Sequence, residues 1–121
     1  MKFGDVIYGR DVEEVKSKLE NHLPRIECPD KVKAGEDFFL RVYVPNHPNR
    51  VDHYIRWIEV YFYENGRSYN PLTLAKVEFS PEYVNPEVTL SLRIEKSGTI
   101  FALSYCTSHG IWENSKDVRV E

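Results

Sequence analysis

Val88-Thr89-Leu90-Ser91-Leu92-Arg93-Ile94-Glu95 alternates apolar and polar residues without a break. A period of two sends one set of side chains into a core and the other toward water, the signature of a half-buried β-strand. The same period recurs upstream. Phe38, Leu40, Val42 and Val44 alternate with Asp37, Phe39, Arg41 and Tyr43, and Ile58, Val60 and Phe62 alternate with Glu59, Tyr61 and Tyr63. A weaker run starts at Leu72 and Leu74 and includes Val77 and Phe79. Ile100 to Tyr105 is mostly apolar, and Val118 and Val120 predict a short last strand. Arg25 to Val32 predicts another, broken by Pro29. Turn signals fall between these runs: Lys33-Ala34-Gly35-Glu36, Glu64-Asn65-Gly66-Arg67, Ser80-Pro81 and Ser97-Gly98. About seven short strands so punctuated predict an all-β fold, an immunoglobulin-like antiparallel β-sandwich. The Cys-Trp-Cys pattern of true immunoglobulin domains is absent, so the expectation concerns architecture alone.

Ahead of the strands the period changes. Val12, Val15 and Leu19 are spaced for one face of a short amphipathic helix, with Asp11 and Glu14 as a capping box and Pro24 against its continuation. The expected organisation is one domain over residues 1–121, with a helix and lead-in at 1–24 and the sandwich at 25–121.

The chain has 121 residues, of which 41% are hydrophobic and 13% aromatic, so it can bury a real core without disulfide staples. Lys and Arg number 16 against 19 Asp and Glu, a net charge of −3, which argues against a nucleic-acid surface. Two cysteines cannot make a disulfide framework or a four-thiolate metal site. No apolar run reaches membrane-spanning length, and the start Met-Lys-Phe-Gly-Asp lacks the apolar stretch of a signal peptide. The expected location is cytoplasmic, with no membrane partner and with thiols kept reduced.

All four histidines, His22, His47, His53 and His109, fall in or beside predicted loops. Strand-end loops of a sandwich gather at its two ends, so these residues could converge. Singly, each is an ordinary loop histidine, and Cys106-x-x-His109 alone is a weak metal signal. Cys28 reads as a small packed hydrophobe and Glu20 as an exposed helix end. No Ser-His-Asp or phosphate-loop pattern is present.

Read together, three segments change the picture. Glu20-Asn21-His22-Leu23-Pro24, His47-Pro48-Asn49 followed by His53-Tyr54-Ile55-Arg56-Trp57, and Leu103-Ser104-Tyr105-Cys106-Thr107-Ser108-His109-Gly110-Ile111-Trp112-Glu113 resemble the motifs of the superoxide reductases, in the same order. The resemblance runs from about Glu20 to Glu113, and its iron domain is an immunoglobulin-like sandwich. It implies a mononuclear non-haem iron held by His22, His47, His53 and His109 with Cys106 as an axial thiolate, and Glu20 as the sixth ligand of the oxidised state. A thiolate opposite an open position raises electron density on the metal, and the small positive charge of the centre attracts superoxide locally. Glu20 and Cys106 are thus the expected catalytic groups. The implied reaction reduces superoxide to hydrogen peroxide with one electron and two protons. Rubredoxin or a similar small electron-transfer protein is the implied donor.

The match has departures. The family's first motif has Lys where this chain has Asn21, which carries no charge. Arg50 is one candidate for the missing cation and an exposed loop arginine its plain alternative. Thr107 stands where the family has Asn, and Tyr54 replaces a non-ligand His. No second, four-cysteine iron domain can be built, so the resemblance is to the one-iron class, called neelaredoxin and similar to the iron domain of desulfoferrodoxin, whose members are commonly homo-oligomers, dimers or tetramers. Two other readings compete: a non-catalytic sandwich holding zinc or iron, and an interaction module using Tyr61, Tyr63 and Tyr69.

Overall fold

The computed structural model describes residues 1–121, apart from the side chains of Glu14 and Val15. Its strands are β1 (Arg25–Glu27), β2 (Lys31–Val32), β3 (Phe38–Tyr43), β4 (Ile55–Glu64), β5 (Leu72–Glu78), β6 (Glu87–Leu92), β7 (Gly98–Cys106) and β8 (Gly110–Val120). They form a three-stranded sheet in the order β1-β3-β6 and a five-stranded sheet in the order β2-β8-β7-β4-β5. All pairs are antiparallel except β2 with β8. The sandwich expected from the alternation is present.

The core lies between the sheets. Leu40 and Val42 of β3 meet Ile58, Val60 and Phe62 of β4, Ile100 and Ala102 of β7 and Val118 of β8, all buried. Their alternate neighbours face outward, and Phe39 is exposed as its place in the pattern requires. On β7 every second residue is buried: Gly98, Ile100, Ala102, Ser104 and Cys106. Cys106 is therefore the last inward position of the strand, and its thiol emerges at one end of the core.

Two bulges correct the simple period. Between β4 and β7, Ile55 pairs with Cys106 and Trp57 with Tyr105, leaving Arg56 as an extra residue. Such an insertion flips the face, so Ile55 and Ile58 are both buried although their spacing is odd. Between β4 and β5, Val60 pairs with Ala75 and Tyr61 with Thr73, leaving Leu74 over. That bulge accounts for the change from Leu72 to Val77 in the apolar pattern.

Other expectations need correction. β8 is not short: it spans eleven residues and pairs with the whole of β7. Its middle, Glu113-Asn114-Ser115-Lys116-Asp117, is polar and hid the strand. Arg25 to Val32 is two strands in different sheets, separated at Pro29. The N-terminal helix is mainly 3₁₀, Glu13–Lys18, running into a single α-helical turn, α1 (Leu19–His22). The capping and packing roles expected of the Glu14 and Val15 side chains lie outside the described residues. Upstream, Tyr8 bridges to Trp112 at the edge of β8. Among the described residues, no helix is long and apolar enough to cross a membrane.

Candidate metal centre

Three local structures bring the ligand candidates to one end of the sandwich. α1 ends at His22, which is 3% exposed rather than in a solvated loop. After β3, Asn46 takes a left-handed backbone, φ 57°, and the chain turns through His47. Reciprocal backbone hydrogen bonds between Arg50 and His53, 3.0 and 2.9 Å, close that loop. Asn49 clips it to the segment before β6, accepting from Glu82 N–H at 2.8 Å and donating to Val84 C=O at 3.2 Å. Finally, β7 and β8 are joined by Thr107-Ser108-His109 between the paired residues Cys106 and Gly110. Gly110 closes this tight turn at φ 81°, a conformation glycine adopts without a Cβ penalty.

The four imidazoles form a closed ring. Centroid separations are 4.8 Å for His22–His47, 4.9 Å for His47–His53, 5.2 Å for His53–His109 and 4.9 Å for His109–His22. Neighbouring planes are steeply inclined, so edges rather than faces point inward. The inner atoms crowd together: His22 Nε2 lies 3.1 Å from His109 Nδ1, His47 Nε2 lies 3.2 Å from Cys106 Sγ, and Cys106 Sγ lies 3.6 Å from His109 Nδ1. One donor atom each from His22, His47, His53 and Cys106 lies within 4.8 Å of the others. His53 Nε2 is buried with no hydrogen-bond partner. A buried orphan nitrogen is costly unless something accepts its lone pair.

The outer nitrogens fix the tautomers. His22 Nδ1 donates to Lys18 C=O at 3.0 Å and to Asn21 Oδ1 at 2.7 Å. His47 Nδ1 donates to Pro48 C=O at 2.7 Å. Both rings thereby present an unprotonated Nε2 to the centre, as metal-ligating histidines do. His109 presents Nδ1 instead, because it sits only three residues beyond Cys106 in the turn.

The electrostatics favour neutral rings at His22, His47 and His109. Burial pushes the His22 imidazole down to about 4, and the neighbouring His47, His109 and Lys18 push the same way. Burial also lowers His47, and burial followed by the Lys18 ammonium lowers His109. Arg50, the cation suggested by sequence, instead pairs with Asp52 at 3.4 Å and is 67% exposed. Lys18, one helical turn before His22, adds positive charge that lowers the His22 and His109 imidazoles, a cation the ligand motifs do not point to.

Glu20 is placed elsewhere. It is exposed and lines a surface hollow with Leu23, Arg25 and Asn114. The reason is helical geometry: residues two apart on a helical turn point to different sides, so an inward His22 leaves Glu20 outward. Cys28 is half-buried, away from the cluster, and burial raises its thiol. Tyr61, Tyr63 and Tyr69 lie on the outer side of β4 and in the loop beyond its far end, not at the histidines.

Four imidazoles and a thiolate are a mixed nitrogen and sulfur donor set suited to a first-row transition metal. They number one more than a closed tetrahedral zinc site uses, which tells against the purely structural reading. The model for the desulfoferrodoxin family matches residues 14–115. The chain belongs to this family. Superoxide reductase (neelaredoxin) from Ignicoccus hospitalis is similar over the full length of both chains, with 50% identity and a TM-score of 0.94. The superoxide reductase of Pyrococcus horikoshii is 38% identical over 80% of this chain and 86% of its own length. The neelaredoxin of Megalodesulfovibrio gigas is 36% identical over 86% of this chain and 91% of its own. In this desulfoferrodoxin-family chain the ring of imidazoles and the Cys106 thiol occupy one end of the sandwich.

Two contacts at the cluster were not anticipated. Ser104 Oγ donates to the His22 carbonyl at 2.9 Å, and Trp112 Nε1 donates to the His109 carbonyl at 3.1 Å. Both residues lie within the Leu103–Glu113 segment, but spacing alone cannot show which backbone group a buried side chain will reach.

Proposed function

We propose that this chain is a superoxide reductase, reducing superoxide to hydrogen peroxide at an iron ion held by His22, His47, His53, His109 and Cys106. The observation that carries the reading is that donor atoms of His22, His47, His53 and Cys106 lie within 4.8 Å of one another, with His109 Nδ1 beside them at 3.1 Å from His22 Nε2 and 3.6 Å from Cys106 Sγ, and with His53 Nε2 buried and unpartnered. Bound iron would supply a one-electron couple, which side chains of this kind lack.

The residues around it have separate tasks. The Nδ1 bonds of His22 and His47 hold their rings neutral and aimed inward. Lys18 brings positive charge to an acidic protein whose substrate is an anion, taking the part that Asn21 cannot. Asn21 Oδ1 is already engaged by His22, so it positions a ligand rather than giving a proton. The two product protons come through water at the partly exposed mouth. Glu20, exposed on α1, would have to move to serve as a ligand.

One electron per turnover comes from outside, from rubredoxin or a similar small electron-transfer protein. The whole of residues 1–121 acts as one domain, as a homo-oligomer in keeping with its class. A cytoplasmic setting, where thiols stay reduced, suits the two free cysteines.

The test is to produce the protein with iron, oxidise it and record the visible spectrum. A thiolate-to-iron band that bleaches on reduction is expected, lost in Cys106→Ser and kept in Cys28→Ser. Pulse radiolysis of the reduced protein should then show rapid consumption of superoxide. A colourless product carrying zinc alone after iron-replete expression would refute the assignment.

A further inference from the structure

Ser104 and Trp112 are directly opposite each other in the β7–β8 ladder. Both are fully buried, and cross-strand partners point to the same face of a sheet. A hydroxyl on the inner face of β7, among Ile100, Ala102 and Cys106, carries a desolvation cost unless it is bonded. Its bond goes to the His22 main-chain carbonyl at 2.9 Å. The indole of Trp112 goes to the His109 main-chain carbonyl at 3.1 Å. The Trp112 ring also packs against the His22 imidazole, with centroids 4.9 Å apart.

One rung of the ladder therefore holds the backbones of two ligand residues that are far apart in sequence. Those two histidines bring their inner nitrogens within 3.1 Å of each other. His22 arrives on α1 and His109 on a hairpin turn, and among the described residues no backbone–backbone hydrogen bond joins the two elements. Tyr8 braces the rung: its N–H donates to Ile111 C=O at 3.0 Å, the Tyr8 C=O accepts from Glu113 N–H at 2.7 Å, and the Tyr8 ring packs on Trp112 at 5.1 Å.

We propose that the Ser104–Trp112 pair is a positioning device that sets the His22–His109 edge of the centre before metal arrives. The inference rests on the cluster being a metal centre. Groups that orient ligands in this way typically change metal affinity by about 10- to 100-fold when removed. A residue serving packing alone would change stability and leave the ligand field as it was.

The test uses Co(II) added to the metal-free protein, with affinity from chelator competition and the thiolate-to-cobalt and d–d bands as a geometric readout. Ser104→Ala and Trp112→Phe should each weaken Co(II) binding by about 10-fold or more and shift the d–d bands. Ser104→Thr, which keeps a hydroxyl, should recover most of the loss. Ile100→Val, in the core at the other end of β7, should lower stability without moving affinity or bands. Wild-type affinity and bands in both Ser104→Ala and Trp112→Phe would overturn the positioning role while leaving the metal centre intact. A wild-type protein that gives no thiolate-to-cobalt band would overturn the metal centre and this role together.

Discussion

Acidifying the metal-free protein tests how far burial controls the ligands. His22 is 3% exposed, and its imidazole is pushed from 6.5 to about 4, chiefly by desolvation. In the unfolded chain the ring protonates near its ordinary value, whereas in the folded chain it stays neutral until the pH nears 4. The unfolded state thus binds more protons throughout that window, so stability falls as the pH drops through it and is unaffected well above 6.5. A shift of this size corresponds to about 3 kcal/mol in full, of which about 2 kcal/mol is lost between pH 7 and pH 5. The assay is urea unfolding of the metal-free protein at pH 7, 6 and 5, set against His22→Gln, which removes this group while leaving other titrations in place. The wild type should lose about 2 kcal/mol more than the variant over that range. An NMR titration of the same sample should find the His22 ring neutral at pH 5. A ring that titrates near 6.5, or equal pH slopes for the two proteins, would refute the claim that burial holds this ligand ready.

Other predictions concern charge and core. Lys18→Gln should slow superoxide capture by about 2- to 5-fold at low salt, from the loss of one nearby charge, and the gap should narrow as salt is added. Arg50→Ala should leave capture within about 2-fold, because its charge is exposed and already paired with Asp52; pulse radiolysis of both variants separates the two. Ile100→Ala removes a side chain that is 1% exposed and should cost about 2–5 kcal/mol in urea unfolding, while the iron band of the folded protein stays in place.

Much of the fold could be read from alternation because one face of each long strand packs toward the core, fully buried in β3 and β4 and partly in β6, so these strands announced themselves. β8 did not, since its inner positions are dominated by Trp112 and Val118 with polar residues between them. The β5 pattern was blurred by the bulge at Leu74, which changes parity within one strand. The ligand set was legible because its motifs carry fixed spacings. The arrangement was not: that His109 offers Nδ1, that His53 Nε2 is an orphan and that Glu20 faces away all follow from backbone geometry absent from a residue string. For Arg50 the plainer reading, an exposed loop arginine, is the one the structure supports. Arg50 is nearer to a ligand in sequence than Lys18, but its side chain is turned to Asp52.

Cys106 is the last of five inward residues on β7, so the thiol and the hydrophobic core obey one register. Inserting a single residue between Gly98 and Cys106 would oblige the strand either to expose Ile100 and Ala102 or to swing the sulfur to the outer face. Inserting two would restore the parity and only lengthen the strand. The chemistry could therefore be lost with every candidate ligand still present and the core intact, because strand parity alone decides which side of the sheet the Cys106 sulfur takes.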